Sequence, residues 1–443
     1  MMISIDALRK LIADTLDAMA AQGHEVAEAR AEAKALPSSY DALTAFAEGM
    51  GDLPMREGWP YVEPAAWEDV LAEMDPKRAT DPIATLDDDE AAARVREGFL
   101  VSVCGCELGK PLEISESLAF LRDKLSSVGE WPITDYISER AMAACGKAHP
   151  SAAVTTREHL AYVVPDDDIN YTVLGMLNLE RHGRDFTLRQ LADLWLRQLS
   201  PGWTFGPERV VMARMTAASL GLADPDPASW AARLNPRDEW CGAMIRADAY
   251  GFACVGDPAS AAALAFRDAS LTHRRTGVYG TMFAAAAIAA AACTDDPLEV
   301  FEIASEYVPQ RSRFYEVIRK GLDVVSGSTD FMEAYDRING LYGEFGHCRI
   351  FMESATLINT LRFAADSGDG ICRQVMQGND TDSYGCTAGS ILGVFFGPGR
   401  LEPRWLAPFR DTLRTSLAAF YETSLSAAAD RIAQLPARMA RQV

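Results

Sequence analysis

Alanine-rich helical sequence constrains the fold of this chain more than any other feature. Residues 282–293 read MFAAAAIAAAAC, a run that is too short and too rich in alanine to span a bilayer and that predicts a helix buried on all sides. Along the rest of the chain, apolar residues recur at three- and four-residue spacing, and the alternation typical of strands is rare. We therefore predict an all-α fold.

The length and the charge of the chain limit the classes of protein to which it can belong. The 443 residues exceed the usual length of one domain, and 49% of them are hydrophobic, which is ample for a core. The net charge of −21 argues against nucleic acid or an anionic membrane as a main partner. Nine cysteines without CxxC spacing, together with a helical, acid-bearing start unlike a secretory signal, indicate a reduced, cytoplasmic protein and argue against a zinc site.

Turn-forming residues divide the chain into three parts. Residues 1–35 predict one or two amphipathic helices that end before Pro37, and residues 50–66 are rich in glycine and proline, which predicts a linker. The predicted parts are a helical N-terminal extension with its linker over 1–88, a core over 89–400 and a C-terminal helical segment over 401–443.

The first acidic cluster of interest is Asp166-Asp167-Asp168. It follows Pro165 and precedes a mostly apolar run, so three carboxylates crowd the start of a predicted helix. Helix capping explains one or two such acids, and we predict only capping for a similar cluster at 87–90. Three acids ahead of an apolar helix favour ligation of a hard cation such as Mg²⁺, which prefers oxygen ligands.

The second acidic cluster, at residues 380–383, also precedes a predicted helix. Its Asp380, Asp382 and Ser383 side chains offer three oxygens to one cation. Because two distant segments each carry such a set, together they can hold one or two divalent ions.

Three glycines follow the second cluster at four-residue spacing. Gly385, Gly389 and Gly393 therefore share one face of the predicted helix. Glycine inside a helix costs up to about 1 kcal/mol relative to alanine, so this face must admit either another backbone or a ligand at close range.

Three further residues are weaker candidates for a site. Gly109 ends a predicted helix, and Pro111 forces a turn that presents Glu113, although a glutamate in such a turn is often only solvated. Arg246 can hold a phosphate or carboxylate group, or form a structural ion pair. His273 is a candidate ligand, but a lone histidine is more often a packed, hydrogen-bonded core residue.

Four ordered segments resemble the ADP-ribosylglycohydrolase family. They are GCELGKPLE, DDDINYTVL, SLTH with the following GVYGTMFAAAAIAAA, and GNDTDSYGCTAGSILG. They span roughly residues 94–397, about two-thirds of the chain, and the last segment is the most specific. The resemblance implies a compact, orthogonal all-α domain with two divalent cations, Mg²⁺ usually and Mn²⁺ in some members, at the base of an ADP-ribose cleft.

The family's metal motifs map onto the two acidic clusters. Its Thr-Asp-Asp motif falls on 166–168, where an aspartate stands in place of the usual threonine, and its Asp-x-Asp-Thr motif falls on 380–383, where serine keeps the hydroxyl. The metal ligands that the resemblance implies are Asp166, Asp167, Asp168, Asp380, Asp382 and Ser383.

The implied activity is hydrolysis of the glycosidic bond of an ADP-ribosylated protein side chain or a small-molecule ribosyl conjugate, with release of ADP-ribose. Water would attack an oxocarbenium-like anomeric carbon. The base would be Glu113, onto which the family's upstream glutamate falls, or Asp167 or Asp168. The residues expected at the substrate are Gly109, Asn170, Gly242, Arg246, His273, Tyr279, Gly378 and Tyr384.

Three alternatives stay open from the sequence. The same fold can hydrolyse another N- or O-ribosyl conjugate, or can bind ADP-ribose without catalysis. A class I terpene synthase is also all-α and Mg²⁺-dependent, and residues 166–170 satisfy its DDxxN pattern. Its second motif is incomplete, because Asn379 and Ser383 fit but Thr387 stands where glutamate is required. Walker, dinucleotide, GxSxG and HExxH motifs are absent from the sequence.

Overall fold

Helices form throughout the chain, as the alanine-rich and amphipathic patterns predict. The structure is a computed structural model, and it describes residues 4–441. These residues contain 22 α-helices and no β-strand, so the all-α prediction is confirmed.

The N-terminal part contains four helices and a small core of its own. Its helices are α1 (Ile5–Ala21), α2 (Ala27–Ala35), α3 (Tyr40–Gly49) and α4 (Trp67–Glu73). The prediction for residues 1–35 is confirmed as two helices, apart from residues 1–3, which lie outside the described part. Apolar residues of α1–α3, including Leu8, Ile12 and Leu43, form a cluster separate from the main core. The predicted linker at 50–66 is irregular apart from one 3₁₀ turn at Met50–Asp52.

The central part carries most of the helices. They are α5 (Asp88–Gly109), α6 (Leu118–Ser127), α7 (Glu139–Cys145), α8 (Ala152–Thr155), α9 (Asp167–His182), α10 (Leu188–Gln198), α11 (Gly206–Ser219), α12 (Asp248–Ala253), α13 (Pro258–Ala269), α14 (Thr276–Ala290), α15 (Pro297–Ser305), α16 (Arg313–Ser326), α17 (Phe331–Tyr342), α18 (Ile350–Phe363), α19 (Ser367–Met376) and α20 (Thr381–Phe396). Short 3₁₀ turns at Lys110–Leu112, Pro201–Trp203, Pro227–Ser229, Cys241–Arg246 and Gly343–Phe345 join some of them.

The alanine-rich helix α14 lies at the centre of the core. Every residue of α14 is buried, as the sequence predicts. Alanine suits this position because its small side chain lets the neighbouring helices approach closely on all sides. Among residues 4–441, no helix combines the length and apolarity that crossing a membrane would require.

Helices α5 and α20 pack backbone against backbone, and this contact explains the glycine face of α20. A Cβ atom added to Gly385 would lie 2.4 Å from the carbonyl oxygen of Gly105, and one added to Gly389 would lie 2.5 Å from Cα of Ser102. The approach of another helix therefore accounts for the glycines. The close packing also brings the end of α5 to the start of α20, where the Thr381 hydroxyl donates to the carbonyl oxygen of Gly109 at 2.8 Å.

The C-terminal part, predicted as a helical segment over 401–443, is α-helical only near its end among the residues that the structure describes. It contains 3₁₀ turns at Pro403–Trp405 and Ala407–Phe409, an irregular stretch, and then α21 (Leu425–Ile432) and α22 (Leu435–Ala440). The irregular stretch pairs with the backbone of Val163, whose N–H donates to Thr412 at 2.9 Å and whose carbonyl accepts from Arg414 at 3.1 Å. The C-terminal part thus supports the segment that leads into the first acidic cluster.

Candidate active site

The two acidic clusters and Glu113 meet at one cavity of about 470 Å³. The first cluster lies at the start of α9, the second at the start of α20, and Glu113 follows the 3₁₀ turn at the end of α5. The side chains that the sequence singles out and that line the cavity are Glu113, Asp166, Asp167, Gly242, Asp380, Asp382 and Ser383. The structure therefore brings together segments that are more than 200 residues apart in the sequence.

Lys110 also lines this cavity, and the sequence does not single it out. Its ammonium group contacts the Asp166 carboxylate, lies 2.7 Å from Oδ2 of Asp382 and lies 3.4 Å from Oε2 of Glu113. The side chain is only 12% exposed. Its position three residues before Glu113 could have indicated its role, because a lysine at that spacing on a tight turn lies close to the glutamate.

The aspartate that stands in place of the family's threonine has two partners. Asp166 caps α9, where its Oδ1 accepts the N–H of Asp168 at 3.0 Å, and its other oxygen contacts Lys110. Burial alone would raise the pKa of Asp166, but the Lys110 ammonium and the Asp168 hydrogen bond outweigh burial and lower it to about 2. Lys110 thus compensates the additional negative charge at this position.

The other carboxyl groups of the cavity hold protons more tightly. Burial, followed by repulsion from Asp382, raises the pKa of Glu113 to about 10, although Lys110 acts in the opposite direction. Burial and the neighbouring Asp166 charge raise the pKa of Asp167 well above its ordinary value. One ammonium group is therefore not enough to balance this set of carboxylates.

The donor set fits divalent cations. Carboxylate groups from three segments and one hydroxyl group line this cavity, and such oxygens are the ligands that Mg²⁺ and Mn²⁺ prefer. Buried Asp168 adds an oxygen, Oδ1, without a hydrogen-bond partner in the described part of the chain. A bound cation would bring positive charge close to Glu113 and Asp167, and it would lower the raised pKa values of both groups.

Three predicted substrate residues lie in the protein interior, outside the cavity lining. Arg246 is 2% exposed and pairs with Glu208 at 2.8 Å and Asp268 at 2.5 Å, which is the structural ion pair that the sequence left open. His273 is buried, and its Nδ1 lies 2.8 Å from the hydroxyl of Thr272. These contacts leave Arg246 and His273 no direct access to a ligand in the cavity. Tyr279 is also buried, and its hydroxyl donates to the carbonyl of Pro64 in the N-terminal part.

Four other predicted substrate residues also lie outside the cavity lining. Asn170 is buried and bonds Ser416 through both ends of its amide. Gly378 has a φ of +79°, and a Cβ atom there would lie 2.3 Å from a backbone oxygen, so only glycine is tolerated without strain. Gly109 packs against the backbone of α20. Tyr384 is buried, with its hydroxyl 3.6 Å from the sulfur of Met244.

Gly242 allows one more acid to reach the cavity. A Cβ atom at Gly242 would lie 2.5 Å from Oε1 of Glu208, which lines the cavity beside it. Burial raises the pKa of Glu208 to about 7, against the opposing effect of Arg246. The Arg246 network therefore acts on the site through Glu208.

A set of aromatic side chains, the aromatic wall, also lines the cavity and was missed. It consists of Trp203, Phe205 and Trp240, of which Phe205 is 54% exposed. Single aromatic residues in loops carry no periodic signal, so the sequence gives no indication that these three lie together.

Comparison with known proteins identifies the family. A sequence model of the ADP-ribosylglycohydrolase family matches residues 87–441. The chain belongs to the ADP-ribosylglycohydrolase family. The match begins at the N-cap of α5, includes both acidic clusters and extends into α22. It favours a glycohydrolase of this family over the terpene synthase alternative.

A solved structure supports the same fold. A structure described as an ADP-ribosylglycohydrolase-related protein complex aligns with a TM-score of 0.51 and 17% sequence identity, and the alignment covers 79% of this chain and 99% of the other. At this identity the likeness shows the fold alone. None of the curated proteins compared matches the chain.

Proposed function

We propose that this member of the ADP-ribosylglycohydrolase family is a metal-dependent hydrolase. It cleaves the glycosidic bond of an ADP-ribosylated protein side chain or of a small-molecule ribosyl conjugate, and it releases ADP-ribose. The observation that carries the proposal is that both acidic clusters and Glu113 line the same cavity as the aromatic wall. The volume of this cavity lies in the usual range for sites that bind small ligands.

The acidic end of the cavity would hold the cations and the ribose. Asp166, Asp167 and Asp168 from one side, and Asp380, Asp382 and Ser383 from the other, would be the ligands of Mg²⁺ or Mn²⁺. When bound, such ions orient ribose hydroxyls and stabilise negative charge on oxygen. Lys110 holds Asp166 and Asp382 in position by direct contact.

Glu113 is the proposed general base. Its carboxylate would accept a proton from the water whose oxygen bonds to the anomeric carbon, while the bond from that carbon to the leaving group breaks. The leaving group departs with the electron pair of the broken bond and takes up a proton from solvent. Because the Glu113 side chain is only partly exposed, at 24%, and is repelled by Asp382, it needs nearby positive charge before it can act as a base at neutral pH.

Cation binding is therefore expected to release protons. With its pKa near 10 in the metal-free protein, Glu113 keeps its proton at pH 8, and a divalent cation nearby would displace that proton. Calorimetric titration of Mg²⁺ or Mn²⁺ in two buffers of different ionisation enthalpy measures the number released. Glu113→Gln should release fewer protons, whereas Glu116→Gln, at a residue that pairs with Lys147 outside the cavity lining, should match the wild type. Equal release in all three proteins would contradict this role of Glu113.

The same shift predicts how the stability of the metal-free protein depends on pH. The folded state retains a proton on Glu113 that the unfolded state loses above its ordinary pKa of 4.5. The contribution of Glu113 to the free energy of unfolding is therefore largest below pH 4.5 and declines as the pH rises towards 10.

The aromatic wall suits a nucleotide base. Stacking of a base on an aromatic side chain is worth about 1–3 kcal/mol, so Phe205→Ala or Trp203→Ala should weaken ADP-ribose binding by about fivefold or more. Phe345→Ala is the matched control, because Phe345 is similarly exposed but does not line the cavity.

Calorimetric titration of metal-free protein with ADP-ribose, with and without saturating Mg²⁺ or Mn²⁺, tests the proposal. Binding that requires the metal supports it, and hydrolysis of ADP-ribosylated substrates is then measured. Tight binding without any hydrolysis would favour the non-catalytic alternative. Lack of binding under all conditions would direct attention to other ribosyl conjugates.

A further inference from the structure

Two cysteines that are distant in the sequence meet at the acidic cluster on α20. Cys241 begins the 3₁₀ turn that leads to α12, and Cys348 precedes α18, yet the backbone N–H of Cys241 donates to the carbonyl of Cys348 at 3.3 Å. Both thiols donate to the same atom, Oδ2 of Asp380, and both sulfur–oxygen distances are 3.2 Å. All three side chains line the cavity, so a small solute has access to them.

A histidine lies at the same carboxylate. Ligand atoms of His347, Glu113 and Asp380 lie within 4.8 Å of one another. Nδ1 of His347 is buried and has no hydrogen-bond partner among residues 4–441. The Asp380 carboxylate is therefore shared: two thiols donate to it, and a ligand atom of the His347 imidazole lies within 4.8 Å of it.

We propose that Cys241, Cys348 and Asp380 form a binding site for a thiophilic divalent cation of the Zn²⁺ class, with His347 as the fourth ligand. A tetrahedral site with zinc–sulfur bonds of about 2.3 Å and zinc–oxygen bonds of about 2.0 Å has sulfur and oxygen ligands about 3.5 Å apart. The observed distances of 3.2 Å are within a few tenths of an ångström of that value. Binding would displace the two thiol protons into solvent.

The chemistry of the ligands separates this site from the proposed Mg²⁺ site. Thiolate and imidazole ligands select zinc and similar ions, whereas a set of carboxylates and hydroxyls selects Mg²⁺. Asp380 belongs to both sets. A thiophilic ion would therefore withdraw Asp380 from the proposed Mg²⁺ site and inhibit hydrolysis. This effect on activity rests on the proposed function, whereas the binding of the ion does not.

The sequence predicts no zinc site, because the cysteines lack CxxC spacing. That argument applies to sites whose ligands are neighbours in one loop. Here the ligands come from three segments, around residues 241, 348 and 380, and only the fold brings them together.

Cobalt(II) is the probe for the experiment, because thiolate ligands give it a charge-transfer band in the near ultraviolet. Reduced, metal-free, full-length protein is titrated with Co²⁺. We expect the band to saturate at one ion per chain, to disappear on addition of Zn²⁺ and to persist in excess Mg²⁺. Cys241→Ser and Cys348→Ser should each lose most of its intensity. Cys293→Ser is the matched control, because that half-buried thiol donates to the carbonyl of Ala289, away from the site.

Three results would overturn the proposal. The first is the absence of a band in the wild type. The second is a band that persists in both serine variants, which would place the ion at buried Cys106 beside Asp166 and Asp168. The third is an oxidation result that accompanies the absence of a band. If mild oxidation removes two free thiols from the wild type but not from Cys241→Ser, the two cysteines form a disulfide and not a metal site. ADP-ribose binding with Mg²⁺ is measured on the same samples, so failure of the proposed function gives a separate signal.

Discussion

Asp382→Asn is expected to abolish hydrolysis while leaving the protein folded. Asp382 is 2% exposed, lies in the first turn of α20 and accepts a hydrogen bond from Lys110 at 2.7 Å. Asparagine keeps the size of the side chain but removes its charge, so the proposed cation site loses a ligand and Lys110 loses one of its partners. Metal ions contribute several kcal/mol to such reactions, and each 1.36 kcal/mol is a factor of ten. The rate should therefore fall by about a hundredfold or more.

The rate of ADP-ribose release and the affinity for Mg²⁺ or Mn²⁺ are measured together for this variant. Asp89→Asn is the matched control, because Asp89 belongs to another acidic cluster at a helix start but is exposed. It should retain wild-type activity. Turnover of Asp382→Asn near the wild-type rate, in a protein with unchanged thermal stability, would refute the proposed function.

Motifs that lie within one helix could be predicted from the sequence. The apolar run of α14 indicates a helix buried on every side, and all of its residues are buried. The cluster at 87–90 predicts capping, and Asp87 accepts the N–H of Glu90 at 2.7 Å. The acids at 166–168 and 380–383 mark the starts of α9 and α20. In each case a local physical rule decides the outcome.

Features that depend on distant contacts could not be predicted in this way. Lys110 reaches Asp166 and Asp382 only because α5 and α20 pack closely. Cys241 and Cys348 become neighbours only in the folded chain. The same limit explains why several predicted substrate residues do not line the cavity. The order of residues along the chain does not fix the direction in which a side chain such as that of Tyr279 points.

Gly105→Ala is expected to destabilise the protein strongly, because α5 and α20 are in backbone contact at this position. The added methyl group would lie 2.0 Å from the carbonyl oxygen of Gly385, and a backbone atom in a helix cannot rotate away as a side chain can. Overpacking of a core typically costs about 1–3 kcal/mol and sometimes more, and here alanine's higher helix propensity recovers only about 1 kcal/mol. Thermal unfolding should show a clear fall in the transition temperature.

The same substitution should also weaken cation binding, because separation of the two helices moves the acidic cluster at the start of α20 away from Glu113 at the end of α5. Gly340→Ala provides the control. Gly340 is an exposed residue of α17 with no atom within 4 Å of an added Cβ, so alanine should leave stability unchanged or raise it by up to about 1 kcal/mol. If Gly105→Ala were as stable as Gly340→Ala, the helices could not be in backbone contact. The glycine face of α20 would then need a ligand, which is the other explanation that the sequence allows.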